Sequence, residues 1–288
     1  MNGTLGQRAP WARLLAGLRC PVCGAGLAAA GRAARCPAGH SFDLARQGYL
    51  SLAGGGRAPG ANADDAAMVE ARSAFLGAGH YAPLTAALAR RAAELTPADG
   101  LLLDAGGGTG HHAAGVLDAL PGAAGLTLDV SRFALRRAAR AHPRLGAASA
   151  DVWRGLPVRT GAFDLLLNVF APRNGAEFRR ALAPGGALLV VTPGPDHLAE
   201  LRAERGLLTV DPAKEERLRR TLAGHFGQEA EERLEFGMRL TADEAAALVA
   251  MGPSAHHATG GGAPPPTVTA SFRLTVHRPR ARPCGSPR

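Results

Sequence analysis

In the middle of the chain, short apolar runs alternate with stretches of helical period. Continuous apolar runs bounded by glycine, proline or acidic residues predict buried strands, and apolar positions three to four residues apart predict helices. The predicted strands are 101–104, 125–128, 147–150, 163–167 and 187–191, and the helices between them are 111–120, 131–142 and 176–183. This β-α alternation predicts an α/β fold in which helices cover both faces of a parallel sheet.

The flanks of this region carry weaker patterns. The final segment, 271–277, alternates apolar and polar residues and is predicted to be an antiparallel edge strand. Segment 19–52 has closely spaced turn residues and few apolar ones, which is typical of a metal-held module, and 53–64 has the composition of a flexible linker. The other predicted elements are helices at 64–76 (with Asp64 or Asp65 as N-cap), 83–94, 212–224 and 243–249, and a strand at 234–238.

The net charge of the chain indicates which class of partner it is suited to bind. The chain of 288 residues has a formal net charge of +9 and contains 33 basic residues, of which only Lys214 is a lysine. This favours a polyanion such as nucleic acid, although a solvated basic surface would have the same composition. Because no apolar run reaches membrane-span length and the first 18 residues lack a long apolar segment, we expect a cytoplasmic protein without a signal peptide or membrane partner.

Three cysteines and a histidine have zinc-ligand spacing. Cys20 and Cys23 form a Cys-x2-Cys pair, and Cys36 and His40 follow twelve residues later. Three thiolates and an imidazole form a common tetrahedral structural zinc site, and four protein ligands leave no open catalytic position. The alternative is a set of reduced structural cysteines beside an unrelated histidine. Cys284 lies in the tail and is left without a predicted role.

A glycine-rich turn follows the first strand of the parallel region. Asp104-Ala-Gly106-Gly-Gly108-Thr-Gly110 matches the D-x-G-x-G-x-G form found in S-adenosylmethionine-dependent methyltransferases. The dinucleotide form G-x-G-x-x-G fits less well, because its third glycine would fall at His111. The backbone of such a turn can approach the amino-acid end of the cofactor closely, and a carboxylate can bind the cofactor ammonium.

Two further aspartates end the next two strands. Asp129 is placed to accept hydrogen bonds from both ribose hydroxyls, and Asp151 to contact the adenine edge. Each of the three aspartates could instead be a helix N-cap. Since the carboxyl ends of parallel strands meet at one edge of a sheet, we predict that Asp104, Asp129 and Asp151 line one cofactor site.

With these residues identified, the chain resembles the bacterial 23S rRNA (guanine-N1)-methyltransferases, most closely the branch conferring resistance to tylosin- and mycinamicin-type macrolides. The resemblance covers about residues 16–278 and departs from the pattern at 253–267, where relatives have a further helical stretch. It depends on Cys-Pro-Val-Cys23, the segments 36–49, Gly79-His-Tyr-Ala-Pro83, 104–112, Leu167-Asn-Val-Phe-Ala-Pro-Arg-Asn174 and 192–201.

The resemblance implies a class I S-adenosylmethionine-dependent methyltransferase with a Rossmann-like, seven-stranded sheet, preceded by a small zinc module for rRNA recognition. It further implies a homodimer whose target is a guanine in a domain II hairpin of 23S rRNA. Tyr81, His112, Ala113 and His197 match cofactor-contacting positions of the family. The implied organisation is an N-terminal extension (1–18), the zinc module (19–52), a linker and helix (53–80), the methyltransferase domain (81–278) and a basic disordered tail (279–288).

The acceptor side is less well defined by the sequence. In the loop after the fourth strand, Asn168 could bond the guanine edge, Phe170 could stack on it and Arg173 could stabilise charge at O6. No carboxylate occurs in this loop, so no general base is named. Two alternatives stay open: a small-molecule O- or N-methyltransferase and a non-enzymatic zinc protein that binds rRNA. The candidates for phosphate contacts are Arg32, Arg35, Arg46 and Arg57.

Overall fold

A seven-stranded mixed sheet and a three-stranded antiparallel ribbon make up the β-structure of the protein. The computed structural model describes residues 4–7, 10–52, 63–205, 219–252 and 264–281. The large sheet has the order β6-β5-β4-β7-β8-β10-β9, and the ribbon has the order β1-β2-β3. The strands are β1 Ala28–Ala30, β2 Ala33–Arg35, β3 Ser41–Asp43, β4 Leu101–Ala105, β5 Ala124–Asp129, β6 Leu145–Ser149, β7 Phe163–Val169, β8 Leu182–Pro193, β9 Phe226–Met238 and β10 Val268–Pro279.

Eight α-helices lie wholly within the described ranges. Side-chain caps begin several of them: Asp65 accepts from Met68 N, Ser131 from Ala134 N, and Thr241 forms a capping box with Glu244. These caps satisfy amides that have no partner inside the helix. The helices are α1 Trp11–Gly17, α2 Ala66–Gly77, α3 Ala82–Leu95, α4 His111–Ala119, α5 Arg132–Ala141, α6 Gly175–Ala181, α7 Ala199–Arg205 and α8 Ala242–Ala250.

The five predicted parallel strands are confirmed. Strands β6, β5, β4, β7 and β8 pair in parallel, and their side chains are almost all buried because helices cover the sheet. Two core clusters lie on opposite faces of this sheet, one reaching the zinc module and the other packed under α3, α4 and α8. The carboxyl ends of β4 to β7 therefore meet at one edge.

The position predicted for the last strand is wrong. β10 is antiparallel, as expected, but it pairs with β8 on one side and with β9 on the other, so β9 is the edge strand. β9 is longer than the predicted 234–238, and its side chains alternate between half-buried and exposed, whereas β10 is mostly buried. Alternation in the sequence of β10 did not distinguish these two positions.

Several predictions lie largely or wholly outside the described residues. They concern the linker at 53–62 with Arg57, most of the helix predicted at 212–224, the departing segment around 254–263, and the tail from 282 with Cys284. Within the described ranges, no helix is both long and apolar enough to cross a bilayer.

The N-terminal extension holds a helix that the sequence pattern did not reveal. Trp11 and Leu14 of α1 are buried against β6, and a Cβ added at Gly146 would lie 2.5 Å from Leu14 Cδ1. The zinc module joins the same core: Leu50 forms a parallel bridge with Ala148, with its N–H donating to Ala147 O at 2.8 Å. α1 and the zinc module are thus packed onto the β6 side of the sheet.

Truncating Leu14 tests whether α1 is part of the core. We expect Leu14→Ala to lower the free energy of unfolding by about 2–5 kcal/mol, because it leaves a cavity beside Gly146. Val22→Ala, at a side chain that is 64% exposed, should change it by less than about 0.5 kcal/mol. The measurement is urea denaturation, and equal small effects for both variants would contradict this packing.

Candidate metal centre and cofactor site

Cys20, Cys23, Cys36 and His40 converge on one point. Their ligand atoms all lie within 4.8 Å of one another, and the pairs Cys23–Cys36 Sγ and Cys20 Sγ–His40 Nδ1 are 3.7 and 3.6 Å apart. Zinc bonds of about 2.3 Å to sulfur and about 2.0–2.1 Å to nitrogen place tetrahedral ligands about 3.8 and about 3.6 Å apart. The four residues therefore fit a tetrahedral zinc ion bound through Nδ1 of the histidine.

The zinc-binding module is fixed to the loop that follows β6. Arg19 N donates to Pro157 O at 3.0 Å, and the Arg19 side chain lies 3.7 Å from the carboxylate of Glu177 on α6. Glu177 also accepts from Leu156 N at 2.7 Å. The ribbon is therefore held to the segment that runs beside the carboxyl edge of the sheet.

The glycine turn after β4 folds directly over Asp104. The N–H groups of Gly106 and Gly107 donate to Leu128 O, and a Cβ at Gly107 would lie 1.8 Å from Asp104 Oδ2. Gly106, Gly108 and Gly110 have φ of 74°, 57° and 74°, a region that favours glycine. The turn therefore requires glycine for its conformation at the three motif positions, as predicted, and for space at Gly107, a position that the motif leaves open.

Asp104 is a buried carboxyl group with few partners. Its Oδ2 accepts from Thr127 Oγ1 at 3.3 Å, and only 2% of the residue is exposed. Burial, together with the nearby charge of Asp129, raises the pKa of Asp104 to about 7. A cationic group of a ligand placed here would restore the ionised form.

Asp129 at the end of β5 anchors the glycine turn. Its Oδ2 accepts from Gly108 N at 2.9 Å and its Oδ1 from Ser131 N at 2.8 Å. Burial raises the pKa of Asp129, and these amide bonds oppose that shift. Since a carboxylate has about four acceptor positions, each oxygen can still accept one ligand hydroxyl.

Asp151 is used locally, in the turn that follows it, and no helix begins there, so it is not the helix N-cap that the alternative expected. Its Oδ1 accepts from Trp153 N at 3.0 Å, and its Oδ2 lies 3.3 Å from Arg154 Nε. The turn places Trp153 on the surface with 61% of the residue exposed. The sequence interpretation gave Trp153 no role, although a tryptophan two residues after a candidate site aspartate was a usable signal.

The buried Tyr81 and the half-buried His197 form a pair. Ser271 N donates to His197 Nδ1 at 3.3 Å, and burial, with a contribution from Arg202, lowers the pKa of His197 to about 4. The neutral ring then carries its proton on Nε2, 3.5 Å from the Tyr81 hydroxyl. Tyr81 can accept this bond and keep its own proton for a ligand. Burial raises the pKa of Tyr81, so the proton stays in place.

The first turn of α4 brings the other two predicted cofactor residues to the same region. His112 Nδ1 lies 2.9 Å from Thr85 Oγ1, and Ala113 is fully buried. Burial and the neighbouring His111 lower the pKa of His112 to about 3, so this ring is neutral at physiological pH. The start of α4 therefore offers helix amides without a competing charge.

The roles predicted for Asn168 and Arg173 need correction. Asn168 is fully buried, and its amide donates to Ala105 O and Pro172 O at 3.3 and 2.9 Å. Its Oδ1 accepts from Arg173 Nε at 3.2 Å, and Arg173 is only 4% exposed. Both side chains support the loop after β7 from inside, so we assign them to positioning this loop and not to contacting a guanine.

Phe170 is the exposed member of that loop. It is 45% exposed and has φ of 53°, an uncommon and strained conformation for an aromatic residue. Its ring lies 5.5 Å from Phe272 and 6.5 Å from Tyr81, measured between centroids. Phe272 was missed because it looked like an ordinary strand residue. The aromatic side chains thus connect the cofactor residues with the surface.

The fold and these sites define a zinc-ribbon protein carrying a class I methyltransferase domain. Residues 18–53 match the family described as the N-terminal zinc ribbon of RlmA. A protein of Micromonospora griseorubida named as a 23S rRNA (guanine-N1)-methyltransferase is 52% identical, covering 92% of this chain and 98% of the relative. The Streptomyces fradiae 23S rRNA (guanine(748)-N1)-methyltransferase is 54% identical over 83% of this chain and 86% of the relative.

A Bacillus subtilis protein named as a 23S rRNA (guanine-N1)-methyltransferase, YxjB, is 37% identical over 64% of this chain and 67% of the relative. The chain belongs to the 23S rRNA (guanine-N1)-methyltransferase family. The cofactor of the class fits the residues described: Asp104 suits the ammonium of S-adenosylmethionine, and the remaining acceptor positions of Asp129 suit the ribose hydroxyls.

The raised pKa of Asp104 makes cofactor binding depend on pH. Because binding of the ammonium requires the carboxylate, the affinity for S-adenosylhomocysteine should fall about tenfold from pH 8 to pH 6 as Asp104 takes up a proton. Asp104→Asn should bind weakly at every pH, and Asp243→Asn, at an exposed position on α8, should behave as the unchanged protein. Calorimetric titration measures this, and a pH-independent affinity in the unchanged protein would contradict the role of Asp104.

Proposed function

We propose that the protein transfers a methyl group from S-adenosylmethionine to N1 of a guanine in 23S rRNA. The observation that carries this proposal is the identity of 52% over nearly the whole length of a relative named for this reaction. The Cys3His cluster and the aspartates at the carboxyl edge of the sheet support it, because they supply a zinc-held module and a cofactor site in one chain.

The cofactor supplies an electrophilic methyl group on its sulfonium, and the residues of this chain position the reactants. Asp104 binds the ammonium group of the cofactor, and Asp129 accepts hydrogen bonds from its ribose hydroxyls. The Tyr81 hydroxyl donates a hydrogen bond to an acceptor atom of the cofactor. Asp151, His112 and Ala113 complete the proposed cofactor site. Much of the acceleration then comes from orientation, because the methyl group must meet N1 in line.

The acceptor guanine is proposed to bind between the exposed aromatic residues. Phe170 and Trp153 are 45% and 61% exposed, and Asn174 joins their loops by donating to Val152 O at 3.1 Å. Bases removed from a helix are commonly held by stacking on aromatic rings. The loop 168–174 contains no carboxylate, so the N1 proton is not assigned to a side chain.

The finer features of the proposal follow the relatives. The name of the Streptomyces fradiae relative specifies guanine 748, and for this chain we propose a guanine in a domain II hairpin of 23S rRNA. A homodimer acting on ribosomal RNA in the cytoplasm, with macrolide resistance as the physiological consequence, completes the proposal.

Primer extension on 23S rRNA tests the function. We expect the purified protein with S-adenosylmethionine to create one new stop at a domain II guanine of unmodified rRNA, since a methyl group at N1 blocks base pairing. Transfer of labelled methyl to small phenolic or amine acceptors, with none to rRNA, would instead support a small-molecule methyltransferase.

Cys23→Ser distinguishes the contribution of the zinc module from that of the cofactor site, using rRNA methylation and cofactor affinity as the two measurements. Weakening the metal site should destabilise the ribbon and reduce rRNA methylation at least about tenfold, while the affinity for S-adenosylhomocysteine stays within about threefold. Val22→Ala, between the same ligands, is the control and should methylate normally. Equal loss of cofactor affinity and methylation in Cys23→Ser would contradict independent roles for the two modules.

A further inference from the structure

Helix α5 carries three arginines on one face. Arg132, Arg136 and Arg140 are spaced four residues apart, so their side chains follow one another along the helix. We call these three residues the α5 arginine stripe. The helix sequence, RFALRRAARA, contains no acidic residue that could neutralise them.

The stripe differs from the other arginines around it. Arg137, on the same helix, forms an ion pair with Glu70, and Arg144 donates to the carbonyl groups of Leu120 and Ala123 at 2.5 and 2.7 Å. In contrast, no carboxylate within the described ranges forms an ion pair or hydrogen bond with a stripe residue. The positive charge of the stripe is therefore uncompensated in the part of the chain that the structure describes.

Repulsion within the stripe destabilises α5, and an aromatic ring holds two of its guanidinium groups in place. Like charges four residues apart on a helix destabilise it by about 0.2–0.5 kcal/mol per pair. The Phe133 ring positions two of the guanidinium groups, with Arg132 Cζ and Arg136 Cζ 4.9 and 5.5 Å from its centroid. Arg136 Nε is buried and has no hydrogen-bond partner in the described structure. The three guanidinium groups repel one another, and an anionic partner would relieve this repulsion. The stripe is therefore suited to binding an anion.

The stripe connects the cofactor edge with the zinc-binding module. The N-cap of α5, Ser131, lies two residues after Asp129, and a Cβ at Gly48 would lie 3.4 Å from Ala139 Cβ. Gly48 belongs to the turn closed by its N–H bond to Ala45 O, and this turn carries the exposed Arg46. Positive charge thus continues from the turn at Arg46 in the zinc-binding module along α5 toward the proposed site of methyl transfer.

We propose that the α5 arginine stripe, continued by Arg46, binds the phosphate backbone of the rRNA substrate and sets its path from the zinc module to the cofactor edge. This inference rests on the proposed function and adds a defined contact surface to it. Guanidinium groups bind phosphate oxygens through paired N–H donors. Contacts to phosphates fix the register of the RNA, whereas the base is recognised elsewhere.

The test compares three triple variants of the full, zinc-loaded chain. One replaces the stripe by glutamine (R132Q, R136Q, R140Q) and one replaces it by lysine. The control is R90Q, R91Q, R233Q, which removes three arginines that contact Glu232, Glu94 or Glu231 and gives the same change in net charge. The probe is a labelled transcript of the 23S rRNA domain II hairpin, bound in the presence of S-adenosylhomocysteine over a salt series.

The glutamine variant should bind at least about tenfold more weakly at 0.1 M salt, and the slope of log K against log salt should fall by about two to three. The lysine variant should keep the salt slope of the unchanged protein, because its charge is retained, and its affinity should fall between those of the unchanged protein and the glutamine variant, because the paired donors are lost. The control should match the unchanged protein in both quantities.

An unchanged slope in the glutamine variant, or an equal fall in the control, would overturn the proposal. If the glutamine variant failed to fold, Arg140→Gln at the exposed end of α5 decides the question, with an expected fall in slope of about one. Absence of rRNA methylation by the unchanged protein would contradict the proposed function itself, and normal methylation with an unaltered salt slope would contradict only the stripe.

Discussion

No side chain fits at Gly107, because its Cβ would lie 1.8 Å from Oδ2 of Asp104. Because Gly107 has no side chain, the turn after β4 can close over the buried carboxyl group of Asp104. Asp129, from the next strand, accepts a hydrogen bond from Gly108 N and fixes the turn. The turn in turn fixes the first residue of α4 and lies against the loop after β7, where a Cβ at Gly106 would be 2.7 Å from Ala171 Cβ. Cofactor site and acceptor loop thus share one packed junction.

A second constraint relates RNA recognition to this junction. The zinc module is packed against the methyltransferase domain, since Leu50 forms a β-bridge with β6 and Arg19 N donates a hydrogen bond to the loop after β6. Side chains of α1, the ribbon and the sheet belong to one continuous core cluster. Under the proposed function, a substrate held by the ribbon would meet the cofactor edge at a fixed distance, which suits a reaction whose rate depends on orientation.

The sequence predicted the features that depend on local pattern. Apolar runs located β4 to β8, and the glycine spacing located the turn over Asp104. It did not reveal α1, because Trp11 and Leu14 form too short a pattern and their burial depends on the glycine at position 146 of a distant strand.

The residues of the proposed acceptor side were harder to predict, because their roles also depend on tertiary packing. Asn168 and Arg173 have polar side chains in a site loop, and only tertiary packing shows that they bond each other inside the protein. The three stripe arginines were visible in the sequence, but their lack of acidic partners among the described residues depends on how α2 and the turn at Gly48 pack against α5.

The most direct measurement is the affinity of Gly107→Ala for S-adenosylhomocysteine, compared with that of Gly77→Ala. A Cβ at Gly77, in the last turn of α2, meets nothing within 4 Å, so this variant should bind as the unchanged protein does. Gly107→Ala must displace the turn or the Asp104 carboxyl group and should bind about tenfold to hundredfold more weakly. Equal affinities would contradict the assignment of this turn as the cofactor site.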